Sequence, residues 1–464
     1  FFQAEDGIRD VERSRGLGDV YKRQGDSSVG AFGATVRRFD GSVAIAANVA
    51  SVPGRIQLAL RGSGQALYVG LDEDLYVVAS EPYGVVEDAR SYLRLDGETP
   101  ADPDDPAASR GQVVELDRAH AGTVEGIVRR SYDGTELPLS ADELVAPEVT
   151  TRDIDRGSYQ HFLLKEITEA PGSFRKTLRG KVARVDGLLQ VTLADGSLPP
   201  QVRDRLQDGS ITRIQVIGQG TAAVAGQSLA RALAAELAST PVRVEAQPAT
   251  ELSGFSLRPR MDDTLIIAIS QSGTTTDTNR TVDLVRGRGA QVIAIVNRRA
   301  SDLTDKSDGV LYTSDGRDVE MSVASTKAFY AQIAAGFLLA FAVAQQVPGA
   351  EAGAARRSDI LAGLRDLPAA MEETLQRRPA VAEAAAELAP SRRYWAIVGS
   401  GANRIAAEEI RIKLSELCYK AIASDAIEDK KHIDLSSEPL ILVCAAGLAG
   451  SNADDVAKEV AIYR

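Results

Sequence analysis

The sequence predicts an α/β protein with two doubly wound parallel-sheet domains, the second incomplete, preceded by a smaller, partial β-rich domain. From about residue 190, uninterrupted apolar runs alternate with small-residue turns and helical stretches, as in parallel sheets covered on both faces. The strand–turn–helix pattern returns at 394–420 and 439–463, which indicates an internal duplication. Residues 29–98 instead contain short strands separated by Gly and Asp.

The β-rich part and the first doubly wound domain supply most of the predicted strands. In the β-rich part, they cover GATVRRF (33–39), SVAIAANV (42–49), QALYVGL (65–71), DLYVVAS (74–80), QVVELD (112–117) and VEGIVRRSY (124–132). In the first doubly wound domain, they cover RIQVIG (213–218), TLIIAIS (264–270), AQVIAIVN (290–297) and GVLYTS (309–314). Residues 96–111 are rich in Pro and Asp and are predicted to form a loop.

Domain boundaries are placed where the texture of the sequence changes. The predicted segments are a tail at 1–24, the β-rich domain at 25–150, a linker helix at 151–190, the first doubly wound domain at 191–350 and the second at 351–464. The linker helix is expected to break at Pro171–Gly172. The tail resembles translated sequencing-adapter read-through and is expected to be artefactual or disordered. The last residues read as a helix without a stop signal, so a fragment cut at both ends is expected.

The composition limits the classes of function. The 464 residues are 44% hydrophobic and 25% charged, which suits a globular protein of several domains, and the net charge of −12 argues against a nucleic-acid partner. The two cysteines, Cys418 and Cys444, favour a reducing, cytoplasmic location. Three histidines are too few for a histidine-built metal site, and neither a metal nor a cofactor is predicted. The apolar run 333–344 is too short to span a membrane and predicts a buried helix.

A run of small hydroxyl side chains, residues 270–276, follows the strand TLIIAIS. At the start of a helix, free backbone N–H groups and the helix dipole favour an anion, and Gly273 permits close approach. Side-chain donors are available from Ser270, Gln271, Ser272 and Thr275. The loop has no Lys or Arg, unlike a P-loop, so a phosphate monoester held without metal is predicted. An ordinary Ser/Thr helix cap is the alternative; the turn GQGTA (218–222) favours phosphate.

A polar helical stretch near the carboxyl end contains further candidates. Glu409, Lys413 and Glu416 are spaced four and three residues apart and therefore share one helical face. That face is either an exposed, salt-bridged surface or, together with His432, part of a proton-transfer site beside a sugar phosphate. The preceding turn GSGAN (399–403) lacks the third glycine of a dinucleotide fingerprint and is predicted to be a tight turn.

Several of these motifs together resemble one enzyme family. SQSGTTTDT (270–278), EMSVASTKAF (320–329), YQHFLLKEITEAP (159–171) and EEIRIKLSELCYKAIASDAIEDKKH (408–432) resemble the isomerising glutamine–fructose-6-phosphate aminotransferases, or glucosamine-6-phosphate synthases. The resemblance implies two sugar-isomerase (SIS) domains preceded by a partial glutaminase domain of the N-terminal nucleophile hydrolase type. It implies that fructose 6-phosphate, or a related sugar phosphate, is converted to glucosamine 6-phosphate by a homodimer. Glutamine would be a substrate only of the intact protein, and no membrane partner is expected.

The resemblance also implies residue roles. Glu416 would move a proton between C1 and C2 of the sugar, and His432 would assist ring opening. Glu409 and Lys413 would order the site. The phosphate would be held by Thr221, Ser270, Gln271, Ser272 and Thr275, and the sugar would be lined by Val323 and Ser325.

The sequence also departs from the family pattern. Neither cysteine corresponds to the family's N-terminal glutaminase nucleophile. Ala222 stands where the family has a serine whose hydroxyl binds the phosphate. Ser415 replaces a lysine before the catalytic glutamate, and residues 433–434 replace the Gly-Pro that follows the histidine in the family. The changes at Ala222 and Ser415 favour two alternatives: a SIS module that binds a sugar phosphate without chemistry, or a sugar-phosphate isomerase or deaminase. The glutaminase-like residues 29–98 argue against both, because neither protein would need them.

Overall fold

Two compact units make up the chain, Phe1–Asp155 and Arg156–Arg464. The computed structural model describes residues 28–39, 41–62, 66–147, 151–432 and 435–463. The tail predicted at residues 1–24 lies outside the described residues.

The first unit has three layers, in which a four-stranded sheet lies between a helix and a three-stranded sheet. The helix is α1 (Ser28–Val36), and the strands are β1 (Val43–Asn48), β2 (Arg55–Arg61), β3 (Tyr68–Asp72), β4 (Leu75–Ala79), β5 (Ser91–Arg94), β6 (Gln112–Asp117) and β7 (Ile127–Ser131). The antiparallel sheets have the orders β1-β2-β6-β7 and β4-β3-β5. Along β2, Ala59 packs in the cluster with α1, while Leu58 and Leu60 pack in the cluster with the second sheet. This alternation fits a strand that is covered on both faces.

The strand that the sequence predicts at 33–39 is absent, because α1 occupies most of this segment. Phe32 and Val36 are both fully buried against the sheet, and their spacing of four residues is helical. The predicted loop 96–111 also contains one helical turn. Short helical turns of this unit are Pro82–Gly84, Pro106–Ser109, Arg118–His120, Val124–Gly126, Ala141–Glu143 and Thr151–Ile154.

The second unit is built on a five-stranded parallel sheet of order β11-β10-β12-β13-β14. The strands are β10 (Arg213–Gly218), β11 (Arg243–Pro248), β12 (Thr264–Ser270), β13 (Gln291–Val296) and β14 (Gly309–Tyr312), preceded by the hairpin β8 (Val182–Val185) and β9 (Leu188–Val191). All seven residues of β12 are buried. The predicted parallel sheet, covered on both faces, is therefore confirmed.

Helices cover this sheet on both sides and continue into the last part of the chain. They are α2 (Phe162–Leu178), α3 (Pro200–Gln207), α4 (Thr221–Glu236), α5 (Thr276–Arg286), α6 (Lys327–Ala344), α7 (Ala354–Gln376), α8 (Arg378–Leu388), α9 (Asn403–Cys418) and α10 (Ser451–Tyr463). Shorter helical turns are Ala249–Glu251, Leu252–Ser256, Asp302–Asp305, Thr313–Gly316, Glu351–Gly353, Ile427–His432 and Leu435–Ser437.

The break that the sequence predicts at Pro171–Gly172 does not occur, since α2 continues through both residues. Proline removes one i→i−4 hydrogen bond, and here the carbonyl left without a donor is that of Ile167, a residue 37% exposed and open to water. The buried helix predicted at 333–344 is confirmed as part of α6. By length and composition α6 passes a test for a membrane span, but 83% of it is buried inside the protein, as in a core helix.

A second parallel sheet repeats the topology of the first. Its strands are β15 (Trp395–Gly399), β16 (Ala423–Asp425) and β17 (Leu440–Cys444), in the order β16-β15-β17. In each sheet the first strand pairs with the next two strands on either side, and α9 follows β15 as α4 follows β10. The predicted duplication is therefore visible in the strand order.

Candidate functional site

The segment Ser270–Thr276, called here the hydroxyl loop, connects β12 to α5 and is folded by its own side chains. The Gly273 N–H donates to Ser270 Oγ at 3.0 Å, and the Thr274 N–H donates to Ser272 Oγ at 3.2 Å. Two hydroxyl pairs also lie in contact, Ser270 with Thr275 at 3.1 Å and Ser272 with Thr274 at 2.9 Å. The loop's own side chains therefore define its shape.

Neighbouring residues fix the backbone of the hydroxyl loop by hydrogen bonds to its carbonyl groups. Asn279 donates its side-chain amide to the carbonyls of Gly273 and Thr275, at 3.0 and 3.1 Å, and the Leu303 N–H donates to the carbonyl of Gly273 at 3.0 Å. Gly273 has a φ of +70°, and a Cβ at this position would overlap the side chain of Ser301. Glycine is therefore required here for both conformation and space.

The hydroxyl loop is not an ordinary helix cap. Thr275 is the N-cap residue of α5, yet its side chain makes no capping hydrogen bond and contacts Ser270 instead. Among the described residues, the backbone N–H groups of Ser272, Thr275 and Thr276 reach no acceptor. Donors of this kind at a helix start, together with the helix dipole, favour an anion.

A second turn lies beside the hydroxyl loop, because β10 and β12 are neighbouring parallel strands. It runs from Gly218 to Thr221 and includes Gly220, with a φ of +54°. Gln219 donates its side-chain amide to Asp277 Oδ2 at 3.3 Å and so links this turn to the first turn of α5. Both turns therefore lie at the carboxyl edge of the sheet, where ligands of doubly wound sheets bind.

From this turn, a chain of four side chains leads to α9. Thr221 Oγ1 donates to Glu409 Oε1 at 3.0 Å, Lys413 Nζ lies 3.7 Å from the same oxygen, and Lys413 also bonds Glu416 Oε2 at 2.9 Å. The predicted common face of Glu409, Lys413 and Glu416 is confirmed. These contacts place the helix of the predicted proton-transfer residue beside the turn of the predicted phosphate residue Thr221.

Glu409 is the buried member of this chain, with 7% of the residue exposed. Burial raises the pKa of Glu409 above its usual range, and Lys413 and the hydrogen bond from Thr221 oppose that rise only in part. Its second oxygen, Oε2, is buried and has no hydrogen-bond partner among the described residues. A buried carboxylate oxygen of this kind can accept a hydrogen bond from a ligand or a water molecule.

The two predicted catalytic residues differ in their surroundings. The side chain of Glu416 is 45% exposed and pairs with Lys413, so it has the geometry of a surface ion pair as well as access for a substrate. His432 is the last residue of the helical turn Ile427–His432, and its side chain lies outside the described part of the chain. The predicted pairing of Glu416 with His432 remains a prediction.

Ser325, Glu409 and Lys413 line a cavity of about 480 Å³ in the second unit. The other walls are mostly apolar and include Leu163, Ile167, Phe329, Tyr330, Leu367 and Ile410. Ser325 donates its hydroxyl to Glu320 Oε2 at 3.0 Å. Val323, in contrast, is fully exposed and is not part of the cavity wall.

The predicted site residues thus form two groups. Ser270, Gln271, Ser272 and Thr275 form the hydroxyl loop, and Thr221, Ser325, Glu409, Lys413 and Glu416 are joined by contacts or by the cavity. Gln219, in the same turn as Thr221, bonds Asp277 in the first turn of α5, although the sequence did not single it out within GQGTA. Glu320 and Asn279 were also missed, since their roles rest on hydrogen bonds to groups of neighbouring loop residues, which the sequence pattern alone does not show.

Comparison with known proteins gives the context of this geometry. The SIS domain family matches residues 210–342. The chain is 33% identical to the glutamine–fructose-6-phosphate aminotransferase [isomerizing] of Symbiobacterium thermophilum over 86% of the chain, and 31% identical to the one of Streptomyces coelicolor over 88%. It spans 59% and 60% of the lengths of these two relatives.

A solved structure also shares the fold. The C-terminal domain of glucosamine-fructose-6-phosphate aminotransferase from Francisella tularensis superposes with a TM-score of 0.56 at 22% identity. The match covers 67% of this chain and 82% of that domain. At this identity, the likeness is evidence for the fold alone.

Proposed function

We propose that this chain carries the sugar-phosphate-binding part of an isomerising glutamine–fructose-6-phosphate aminotransferase. The proposal rests on its similarity to that family over most of its length and on its SIS domain. The reaction would convert fructose 6-phosphate and glutamine to glucosamine 6-phosphate and glutamate. Fructose 6-phosphate, or a related sugar phosphate, is the proposed ligand of this chain.

The observation that carries this proposal is the contact between Thr221 and Glu409. It joins the turns at the carboxyl edge of the first sheet to α9, which bears Lys413 and Glu416. A phosphate on the free amides of the hydroxyl loop would leave the carbon chain of the sugar to extend towards this helix. Val323 and Ser325 are proposed to line the sugar, and Thr221 to assist at the phosphate.

The proposed chemistry is a proton transfer between two carbons. Glu416, as a carboxylate, would remove a proton from C1 of the open-chain ketose and return it to C2 of the enediol, which yields the aldose form. His432 would assist ring opening, because an imidazole titrates near neutral pH. Glu409 and Lys413 would hold Glu416 in position, since Lys413 contacts both carboxylates.

The remaining parts of the proposal concern the whole protein. Residues 25–150 are proposed as part of a glutaminase-type domain, 151–190 as a linker, and 191–350 and 351–464 as two SIS domains. The three-layer arrangement of helix and two sheets in the first unit is compatible with a glutaminase-type domain. Glutamine would be used only by the intact protein, as a homodimer in the cytoplasm.

Calorimetric titration with fructose 6-phosphate and, separately, with fructose tests this proposal directly. The phosphorylated sugar is expected to bind and the unphosphorylated sugar is not, because the hydroxyl loop supplies donors for an anion. Equal affinity for both sugars would contradict the proposed phosphate site.

The principal alternative is a SIS module that binds a sugar phosphate without chemistry. The exposed Lys413–Glu416 ion pair favours it, since this geometry needs no substrate to explain it. A sugar-phosphate isomerase or deaminase is the other alternative. Sugar-phosphate binding without isomerisation by the complete gene product would support the binding module, and isomerisation or deamination independent of glutamine would support the second.

A further inference from the structure

We infer that Glu166, on α2, is a positioning residue that holds the sugar-lining segment in the shape that the ligand needs. The sugar-lining segment is defined as Glu320–Lys327, and it contains Val323 and Ser325. This inference rests on the proposed function, since it concerns the affinity for the sugar phosphate. Glu166 itself touches no proposed ligand and acts through the segment.

Glu166 is a carboxylate buried among hydrogen-bond donors of this segment. Only 1% of the residue is exposed. Its Oε1 accepts the N–H groups of Met321 at 2.6 Å and Ser322 at 3.1 Å, while its Oε2 accepts the hydroxyl of Ser322. One side chain thus satisfies three donors on two consecutive residues, which fixes the backbone where the segment meets α2.

The rest of the segment is held by a second carboxylate within it. Glu320 Oε1 accepts the N–H groups of Thr326 and Ala328, at 2.8 and 3.0 Å, and Glu320 Oε2 accepts the hydroxyl of Ser325. Glu320 precedes Met321 directly in the sequence. Fixing Met321 and Ser322 through Glu166 therefore also fixes the residue that orients Ser325.

A third contact ties the end of the segment to the same helix. Lys327, of which only 4% is exposed, donates to Glu169 Oε2 at 2.6 Å. Glu166 and Glu169 are three residues apart and lie on one face of α2. The motif KEITEAP thus gives α2 two carboxylates that bind the beginning and the end of the sugar-lining segment.

Without Glu166, the N–H groups of Met321 and Ser322 would lose their acceptor, and among the described residues the Ser322 hydroxyl would keep its bond to the carbonyl of Ala324 at 3.1 Å. Val323 is fully exposed, and Met321 is 39% exposed. A ligand would then have to order the segment when it binds. The apparent Kd would be the intrinsic Kd divided by the fraction of molecules in which the segment is already ordered.

The test compares Glu166→Ala with Glu166→Gln. Alanine leaves the two amides without their acceptor. Glutamine keeps an oxygen for both amides and can donate its amide to Ser322 Oγ, so it is the conservative replacement. The matched control is Glu236→Gln, a buried carboxylate that pairs with Arg357 at 3.0 Å. Glu236 lies at the far end of α4, about 22 Å along the helix from Thr221.

Two measurements are made on each variant of the full chain, at a temperature where all of them are folded. Titration calorimetry gives the Kd for fructose 6-phosphate, and hydrogen exchange without ligand gives the protection of peptides from 320–327. We expect Glu166→Ala to weaken binding by about tenfold or more, from the value of hydrogen bonds to a charged group, and to speed exchange in this segment. Glu166→Gln should stay within about threefold of the wild type, and Glu236→Gln should lower the Tm without changing either readout.

Wild-type affinity and wild-type exchange in Glu166→Ala would overturn the inference, and so would an equal loss in Glu166→Gln. A wild-type chain that does not bind fructose 6-phosphate would instead contradict the proposed function. In that case the exchange measurement alone would still decide whether Glu166 orders the segment.

Discussion

At the scale of single residues, the existing hydrogen bonds of each hydroxyl decide what it can offer a ligand. Ser270 is 2% exposed, and its oxygen already accepts the Gly273 N–H and contacts Thr275. Ser272 is partly exposed, and among the described residues its hydroxyl contacts only Thr274. Ser270 therefore mainly shapes the hydroxyl loop, while Ser272 is the better placed of the two to bind phosphate.

Replacing Ser272 by Ala should weaken the binding of fructose 6-phosphate by about 1–2 kcal/mol, the value of one hydrogen bond to a charged group. Calorimetric titration measures this difference. Ser391→Ala is the matched control, because within the described ranges the Ser391 hydroxyl bonds only the carbonyl of Leu388, and Ser391 lies outside the candidate site. Equal affinities of the two variants would show that Ser272 contributes only to the loop.

Replacing Glu416 by Gln should abolish isomerisation while changing sugar-phosphate affinity by less than about threefold, since an amide cannot accept the proton from C1. The measurement is the exchange of the C1 or C2 proton with solvent, followed by NMR on the complete gene product. Glu408→Gln is the control, because Glu408 lies on the same helix but pairs with Arg404 and Arg411. Normal proton exchange in Glu416→Gln would leave Glu416 as a surface ion-pair residue.

At the scale of elements, the sequence correctly predicted those features that depend on residues close together in the chain, such as strand positions and shared helical faces. Strands β10 and β12 lie where their apolar runs predicted them, and the spacing of Glu409, Lys413 and Glu416 predicted one helical face. The strand predicted at 33–39 was wrong. Phe32 and Val36 are buried four residues apart, which is a helical spacing, but the segment is so short that it also reads as an alternating strand.

Contacts between distant elements were beyond local pattern. Thr221 and Glu409 are 188 residues apart, and Glu166 and Met321 are 155 apart, so only the packed fold brings each pair together. Family resemblance supplied most of the candidate site residues, and their roles in binding and catalysis remain predictions. It could not name Glu166 or Gln219, whose roles depend on hydrogen bonds formed across the fold, or Glu320, whose role depends on the conformation of its own loop.

The helix α2 allows a test of how backbone conformation determines stability. Gly172 lies inside the helix and Gly180 just beyond its end, and a Cβ at either would meet nothing within 4 Å. Gly180 has a φ of +70°, whereas Gly172 is helical. Gly172→Ala should raise the free energy of unfolding by about 0.5–1 kcal/mol, and Gly180→Ala should lower it by about 1 kcal/mol. Denaturant unfolding measures both, and changes of the same sign would contradict the explanation.

At the scale of the whole molecule, both units contain carboxylates that the folded state keeps ionised. Hydrogen bonds from Arg258 lower the pKa of Asp263 to about 2. Burial alone would raise the pKa of Glu143, but Arg129 outweighs burial, and the pKa of Glu143 is lowered. A folded pKa below the unfolded value contributes stability that is present above the unfolded pKa. That contribution is lost as the pH falls through the folded pKa.

We therefore expect the Tm to fall as the pH is lowered from about 4 towards 2, between the ordinary pKa of aspartate and the folded pKa of Asp263. Asp263→Asn should lower the Tm at pH 7 and flatten this acid limb, as measured by scanning calorimetry. Asp359→Asn is the control, because Asp359 is exposed and has no ion pair among the described residues. An acid limb of equal slope in the two variants would contradict this account.

The distance along the chain between α2 and its partners also affects the protein while it is being made. Glu166 leaves the ribosome 155 residues before Met321. At about 5–20 residues per second, this is a delay of roughly 8–30 s. Throughout that delay the face of α2 that will be buried is exposed to water in the nascent chain. The two carboxylates that later hold the sugar-lining segment keep part of this face hydrated. The groups that order the site in the folded protein therefore also limit the tendency of α2 to aggregate in the nascent chain.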